Sequence, residues 1–264
     1  MLELRQVCKK FNLKQAAELQ RQDPRIKGRF FHALKDFDLR FEQGEVLGLL
    51  GANGAGKTSL LRILSTALKA DSGDILFEGQ NIQQTLADYR RKIGFLSGTT
   101  GLYERLTGYE NLAYFARLYG LNQVQLANRI KALSDLLGLK SFINRRLSDY
   151  STGMKQRVAI ARCVLHSPKL VILDEPTTGL DIVAKEVILK FIESMQADNV
   201  SIIFSTHDMA EVERLCQRVC IIDKGHNIFT GSIETLKQQT GELFLQQALF
   251  GLIHSEDATD VSLC

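Results

Sequence analysis

The chain is short of cysteine: five thiols in 264 residues, dispersed at Cys8, Cys163, Cys216, Cys220 and Cys264. An odd, scattered set does not make a disulfide framework and fits reduced thiols in a cytosol. Cys216 and Cys220, four apart, have the spacing of one helix face. No neighbouring His or Cys completes a ligand set around them, so no structural zinc is expected. Long apolar runs are also missing, and nothing approaches the ~18 consecutive residues of a membrane helix. Met1-Leu2-Glu3-Leu4-Arg5 lacks the layout of a secretory leader. Charge of one sign is missing too. The 33 Lys and Arg against 30 Asp and Glu leave only +3, which does not favour nucleic acid as a partner. No internal repeat, low-complexity tract or sustained heptad pattern occurs.

What is present is ordinary globular material, 45% hydrophobic and 24% charged, long enough to bury a full core. The basic excess is local. Arg21, Arg25, Lys27 and Arg29 face only Asp23, either as a solvated loop or as a contact for anionic headgroups or a partner.

Leu2, Leu4 and Val7 open a strand that ends near Phe11. Residues 12–31 read as an inserted polar loop, with a short helix over Lys14–Gln22. Asp36–Phe41 alternates, and Glu45–Leu50 reads as a buried strand. A helix carrying Leu60, Leu61, Leu64 and Leu68 follows, then strands at Gly73–Phe77 and Ile93–Leu96. Thr107 and Glu110 form a capping box before a helix with Leu112, Phe115, Ala116 and Tyr119. A second helix carries Leu126, Ile130, Leu133 and Leu137, so residues ~102–165 read as a helical subdomain. Leu170–Leu173 resumes the core. A helix (Val183, Val187, Leu189, Ile192), a strand (Val200–Phe204), a helix (Met209–Leu215) and a strand (Val219–Ile222) follow. This alternation argues a parallel sheet covered on both faces. The tail from Ser232 reads as helical to about Leu252 and loses pattern after His254.

Two segments carry chemistry. Gly51-Ala52-Asn53-Gly54-Ala55-Gly56-Lys57-Thr58 lies between an apolar strand and a helix, the setting in which this pattern cradles phosphate. Its glycines let backbone N–H groups converge on phosphate oxygens, and the helix brings its positive end to the same anion. Lys57 supplies a mobile charge for the β- and γ-phosphates, and the Thr58 hydroxyl can ligate Mg²⁺. The second segment is Leu170-Val171-Ile172-Leu173-Asp174-Glu175. A strand end in a parallel sheet points to a ligand crevice. There Asp174 would hold Mg²⁺ through water, and Glu175 would act as base toward an attacking water.

Three further runs, in order, complete a pattern. Tyr150-Ser151-Thr152-Gly153-Met154-Lys155-Gln156-Arg157 resembles the signature of ABC transporter ATP-binding subunits. Pro176-Thr177-Thr178-Gly179-Leu180-Asp181 resembles the segment leading into their D-loop, and Ser205-Thr206-His207 resembles their switch-histidine motif. The resemblance implies an α/β fold: a P-loop NTPase (RecA-like) parallel sheet core with an antiparallel β subdomain and an inserted α-helical subdomain. The nucleotide-binding domain would span residues 1–231, with a helical extension and tail over 232–264. ATP and Mg²⁺ are the implied ligands.

The resemblance also implies roles. Gly51, Asn53, Gly54, Ala55, Gly56, Lys57, Thr58 and Ser59 would hold the nucleotide, with Thr58 and Asp174 at the metal. Glu175, Lys57 and His207 would be catalytic. Ser151 and Gly153 would face the γ-phosphate bound by a second copy, giving a head-to-tail homodimer with two sandwiched ATPs, and Asp181 would shape that contact. Phe11 stands where the family stacks adenine, with Phe30 and Phe31 as competitors because the insertion blurs the register. A separate transmembrane permease would be the partner, and the subunit would sit on the cytoplasmic face of the inner membrane. The alternative within the same fold is a soluble ABC ATPase acting on ribosomes or DNA. A GTPase would normally carry Asn-Lys-x-Asp for guanine, and no such run occurs.

Departures from the family pattern are also informative. Where the family carries Gln after the strand that precedes the helical subdomain, alignment places Gly98. Ser97, Thr99, Thr100 or a water would then take its place. Thr152 and Met154 replace family Gly and Gln in the signature. The run Ser97–Thr107, together with Ser151-Thr152-Gly153-Met154, is similar to the version in bacterial sodium-extruding ABC exporters.

Overall fold

A computed structural model of the chain describes residues 1–13, 23–98 and 101–260, with the backbone alone beyond Ile253. The helix expected over Lys14–Gln22 lies outside the described residues, as do Thr99 and Thr100. The chain divides into two compact units, residues 1–85 with 205–264, and residues 86–204.

In the first unit, β1 (Leu2–Asn12) pairs antiparallel with β3 (Phe30–Phe41) and with β5 (Ser72–Phe77). The alternation seen in sequence sets the register. Leu2 lies opposite Phe41 and Leu4 opposite Leu39, all with side chains buried, and a one-residue slip would turn each of them outward. Short β2 (Ile26–Lys27) and β6 (Gln80–Asn81) close the two edges of this sheet. β4 (Val46–Leu50) is buried at every position and runs parallel to β10 (Arg218–Asp223), which pairs antiparallel with β11 (His226–Ser232). Helix α1 (Lys57–Leu64) leaves the end of β4 and buries Leu60, Leu61, Ile63 and Leu64.

The second unit begins with α2 (Leu86–Lys92) and β7 (Ile93–Leu96). β7 pairs parallel with β8 (Leu170–Asp174), with Ile93 opposite Leu170 and Leu96 opposite Leu173. β9 (Ser201–Ser205) flanks β8, and its last residue returns the chain to the first unit. Between β7 and β8 lie α3 (Gly108–Leu118), α4 (Gln123–Leu136) and α5 (Thr152–Val164). The Thr107/Glu110 capping box forms: the Thr107 hydroxyl accepts from the Glu110 N–H, and the Glu110 carboxylate accepts from the Thr107 N–H at 2.8 Å. Helix α6 (Ile182–Ala197) separates β8 from β9.

The C-terminal part of the first unit departs from the sequence reading. Helix α7 (Met209–Leu215) is followed by Cys216 as its C-cap, whereas Cys220 lies within β10, so the two thiols share no helix face. Beyond β11 the expected single helix is two, α8 (Ile233–Thr240) and α9 (Leu245–Asp260). Gly241 takes a φ of 71° and ends α8 in a left-handed cap. Leu236, Leu245 and Ala248 then pack on Leu50, Val212 and Val219. Helix α9 runs on past Leu252 to Asp260.

Candidate nucleotide site

Two of the P-loop glycines are required by space as well as torsion. A Cβ on Gly51 (φ 148°) would sit 2.2 Å from the Ile222 carbonyl oxygen, and one on Gly56 (φ 123°) would sit 2.7 Å from that of Ala33. The loop is thus pressed against β10 and β3. Gly56 is the N-cap of α1 and offers no side-chain bond to the helix end. A helix N-terminus of this kind favours an anion. Lys57 folds back over the loop, donating from Nζ to the carbonyls of Gly51 (2.7 Å) and Ala52 (3.0 Å). Asn53, Gly54 and Thr58 are exposed, and Ser59 is half-buried.

His207 is exposed in the turn between β9 and α7. Beside it the buried Thr206 hydroxyl donates to the Glu211 carboxylate at 2.7 Å and accepts from the Asp208 N–H. Asp208 caps α7 through a bond from the Ala210 N–H. A cavity of about 600 Å³ opens here, lined by Gly51, Ala52, His207, Met209, Leu249 and Phe250.

At the far end of the β1–β3 pair, Phe11 lies opposite Phe31. Phe11 is 38% exposed. Phe30 carries Lys10 and Arg29 over its ring, and Phe31 carries Arg25 at 4.6 Å. Phe11 has Lys9 at 5.5 Å. Phe11 is exposed, whereas Phe30 and Phe31 are half-buried.

In the second unit β8 ends at Asp174, whose side chain is largely buried. Glu175 follows with a φ of 49°, the left-handed region, which costs an L-residue about 1–3 kcal/mol. The Thr178 hydroxyl donates to its Oε2 at 3.1 Å. Ser151 is the N-cap of α5, accepting from the Met154 N–H at 3.3 Å. Gly153 is buried, and a Cβ there would meet the Ala184 Cβ at 2.7 Å. The close approach at Gly153 is thus helix against helix, α5 on α6. Asp181 caps α6, accepting from the Ala184 N–H at 2.8 Å. Thr58 in the first unit carries a hydroxyl and Asp174 in the second a carboxylate, each by itself a hard oxygen donor of the kind that suits Mg²⁺.

Gly98 is exposed, with open space where a Cβ would project. The loop after it is tied to the signature helix. Lys155 pairs with Glu104 at 2.8 Å, and Arg162 donates to the Gly101 carbonyl at 3.2 Å. The Lys155 ammonium holds the Glu104 carboxyl below its ordinary range. Asn111 brackets the same loop, accepting from the Tyr103 N–H and donating to the Tyr103 and Thr107 carbonyls. Sequence reading missed these ties, because each joins residues far apart in the chain or of a type found on any surface.

Comparison with known proteins decides the family. Residues 34–178 match the family described as ABC transporter. The chain is 44% identical over 205 residues to the ABC transporter ATP-binding protein NatA of Bacillus subtilis, covering 77% of this chain and 83% of that protein. This chain belongs to the ABC transporter ATP-binding proteins. Among solved structures it is similar to an ATP-binding subunit of an ABC transporter, with a TM-score of 0.81 and 27% identity over 96% of this chain and 99% of that one. The dimeric ATP-binding cassette MJ0796 bound to ADP and Pi shares the fold, with a TM-score of 0.76 and 24% identity over 88% and 98% of the two chains. The ABC subunit is accordingly an α/β P-loop NTPase and an ATPase. Among the described residues no helix is long and apolar enough to cross a membrane.

Proposed function

We propose that this ABC ATPase works as a head-to-tail dimer that closes on two ATPs and powers a separate membrane permease. The observation that carries the reading is that the chain has two helix N-termini suited to phosphate, α1 and α5, in different units. The first has no side-chain cap and a lysine at hand. The second is framed by Ser151 and the buried Gly153. A subunit with two such ends can donate one to its own nucleotide and one to its partner's.

In this reading the P-loop residues 51–59 hold the phosphates, and Phe11 stacks the base. Thr58 and Asp174 hold Mg²⁺, which supplies charge neutralisation when bound. Glu175 takes a proton from the attacking water, His207 hydrogen-bonds the γ-phosphate and helps orient that water, and Ser151 and Gly153 complete the partner's site. Asp181 fixes the start of α6 at the dimer contact. Closure follows because ATP contacts two surfaces in the closed dimer and one in the open form. Lys155–Glu104 and Arg162–Gly101 support a rigid link by which α5 drives the loop over residues 97–106 against the permease.

The subunit would then lie on the cytoplasmic face of the inner membrane. The loops Ser97–Thr107 and Ser151–Met154 favour an exporter, with sodium as its cargo. The test is ATP-driven ²²Na⁺ uptake into inverted vesicles carrying the subunit and its permease. Uptake that is lost in Lys57→Ala supports sodium efflux. ATP hydrolysis with no sodium movement in vesicles that transport another solute would contradict it.

A further inference from the structure

The basic segment before β3 reaches the P-loop. Arg25, just before β2, donates from Nη1 to the Gly54 carbonyl at 2.6 Å. Its Nε and Nη2 bond the Asp23 carboxylate at 2.9 and 2.5 Å, and its guanidinium lies over the Phe31 ring at 4.6 Å. The side chain is 16% exposed. With one edge on a carboxylate, one nitrogen on a carbonyl and one face on an aromatic ring, this guanidinium is fully committed to holding.

The consequence for the loop follows from peptide geometry. In a trans peptide the C=O and the next N–H point to opposite sides. Arg25 draws the Gly54 carbonyl outward, so the Ala55 N–H turns the other way, where it bonds the Ala52 carbonyl at 3.1 Å. The next peptide is held similarly. The Ala55 carbonyl accepts from the Gly225 N–H at 2.9 Å, which turns the Gly56 N–H to the opposite side. Gly54 has a φ of 80° and no neighbour within 4 Å of a Cβ position, so contacts at its α-carbon do not confine it. Unbraced, this peptide has the freedom of a glycine loop, and ordering it on phosphate costs entropy.

We propose that Arg25 is a positioning residue for nucleotide binding, bracing the P-loop from outside through the Gly54 carbonyl, with Asp23 and Phe31 fixing its own pose. Residues 23–31 of the insertion thereby act as a support for the phosphate cradle. The inference rests on the P-loop being the ATP site.

The brace acts before nucleotide arrives, so its loss is read in affinity and not in turnover. In the full-length protein, Arg25→Met should weaken Mg-ATP binding by calorimetry roughly tenfold, the scale of one charge-assisted hydrogen bond. KM should rise in parallel, with kcat at saturating ATP changed by less than about twofold. Asp23→Asn, which leaves Arg25 in place but loosens it, should give a smaller loss in the same direction, and Arg25→Lys should recover part of the binding. If folded Arg25→Met binds Mg-ATP like the parent, or if kcat falls while KM holds, the brace is wrong. Should Arg25→Met not fold, Asp23→Asn and Arg25→Lys carry the same test, and unchanged affinity in both overturns the proposal. Lys57→Ala separates the two layers: if it too binds ATP like the parent, the P-loop reading fails and not only the brace.

Discussion

Gln156, on the signature helix α5, donates a 2.8 Å hydrogen bond from Nε2 to the carbonyl of Pro176. It joins α5 to the first residue after the Asp174-Glu175 pair. Glu175 is strained at a φ of 49° and Pro176 follows it directly, so this bond helps hold the carboxylate where the backbone alone would not. Gln156→Ala removes one hydrogen bond from the carbonyl of the buried Pro176, about 1 kcal/mol. Its expected result is a fall in ATPase kcat of roughly five- to tenfold with KM for ATP nearly unchanged. A rise in KM at constant kcat would place the bond's effect at nucleotide binding instead.

Glycines at Gly56 and Gly98 make opposite predictions. A Cβ on Gly56 has no room and an unfavourable torsion, whereas one on Gly98 meets nothing within 4 Å. Gly56→Ala should lose ATP binding, and Gly98→Ala should keep ATPase activity to within about twofold, as unhindered surface changes do. Loss of hydrolysis in a folded, nucleotide-binding Gly98→Ala protein would show that the position where the family carries Gln is not a spectator.

His166 gives a pH dependence of stability. Its ring stacks on Tyr119 at 3.8 Å between centroids, and Nε2 bonds the Ile93 carbonyl at 2.8 Å. Nδ1 is buried without a hydrogen-bond partner. Burial pushes the imidazole below its ordinary value of 6.5. The Ile93 carbonyl opposes the shift and Arg129 adds to it. The folded protein therefore binds this proton less readily than the unfolded chain. The contribution is whole above pH 6.5 and drains as pH falls through the lowered folded value. Thermal melts from pH 7.5 to 5 should show a steeper loss for the parent than for His166→Gln, which keeps a donor for Ile93 but does not titrate. Parallel profiles would contradict it.

Much of this was legible because the motifs are contiguous. The strand, glycines and lysine of residues 46–58 announce one another within a single turn of chain. Val46–Leu50 and Leu170–Asp174 are buried at every position, which an unbroken apolar run predicts. Other elements left no such trace. Helix α2 buries only Tyr89, and β11 is half-buried along six of its seven residues with no alternation. Gly241 breaks the C-terminal helix through a torsion that one glycine in a helical pattern does not reveal. Arg25 looked like one of several loop cations, because its partner lies 29 residues on and is a backbone carbonyl. Composition cannot show such a bond; the folded β2–β3 pair, with the His32 N–H on the Arg25 carbonyl, brings the two together.

The ATP sandwich itself is tested most directly by the mass in solution of Glu175→Gln protein with Mg-ATP, measured by light scattering beside Lys57→Ala. Removing the base while keeping the binding residues should trap the closed form. The expected result is a monomer that becomes a dimer on addition of Mg-ATP in Glu175→Gln and stays monomeric in Lys57→Ala. A Glu175→Gln protein that binds ATP yet remains a monomer, alone and with its permease, would contradict it.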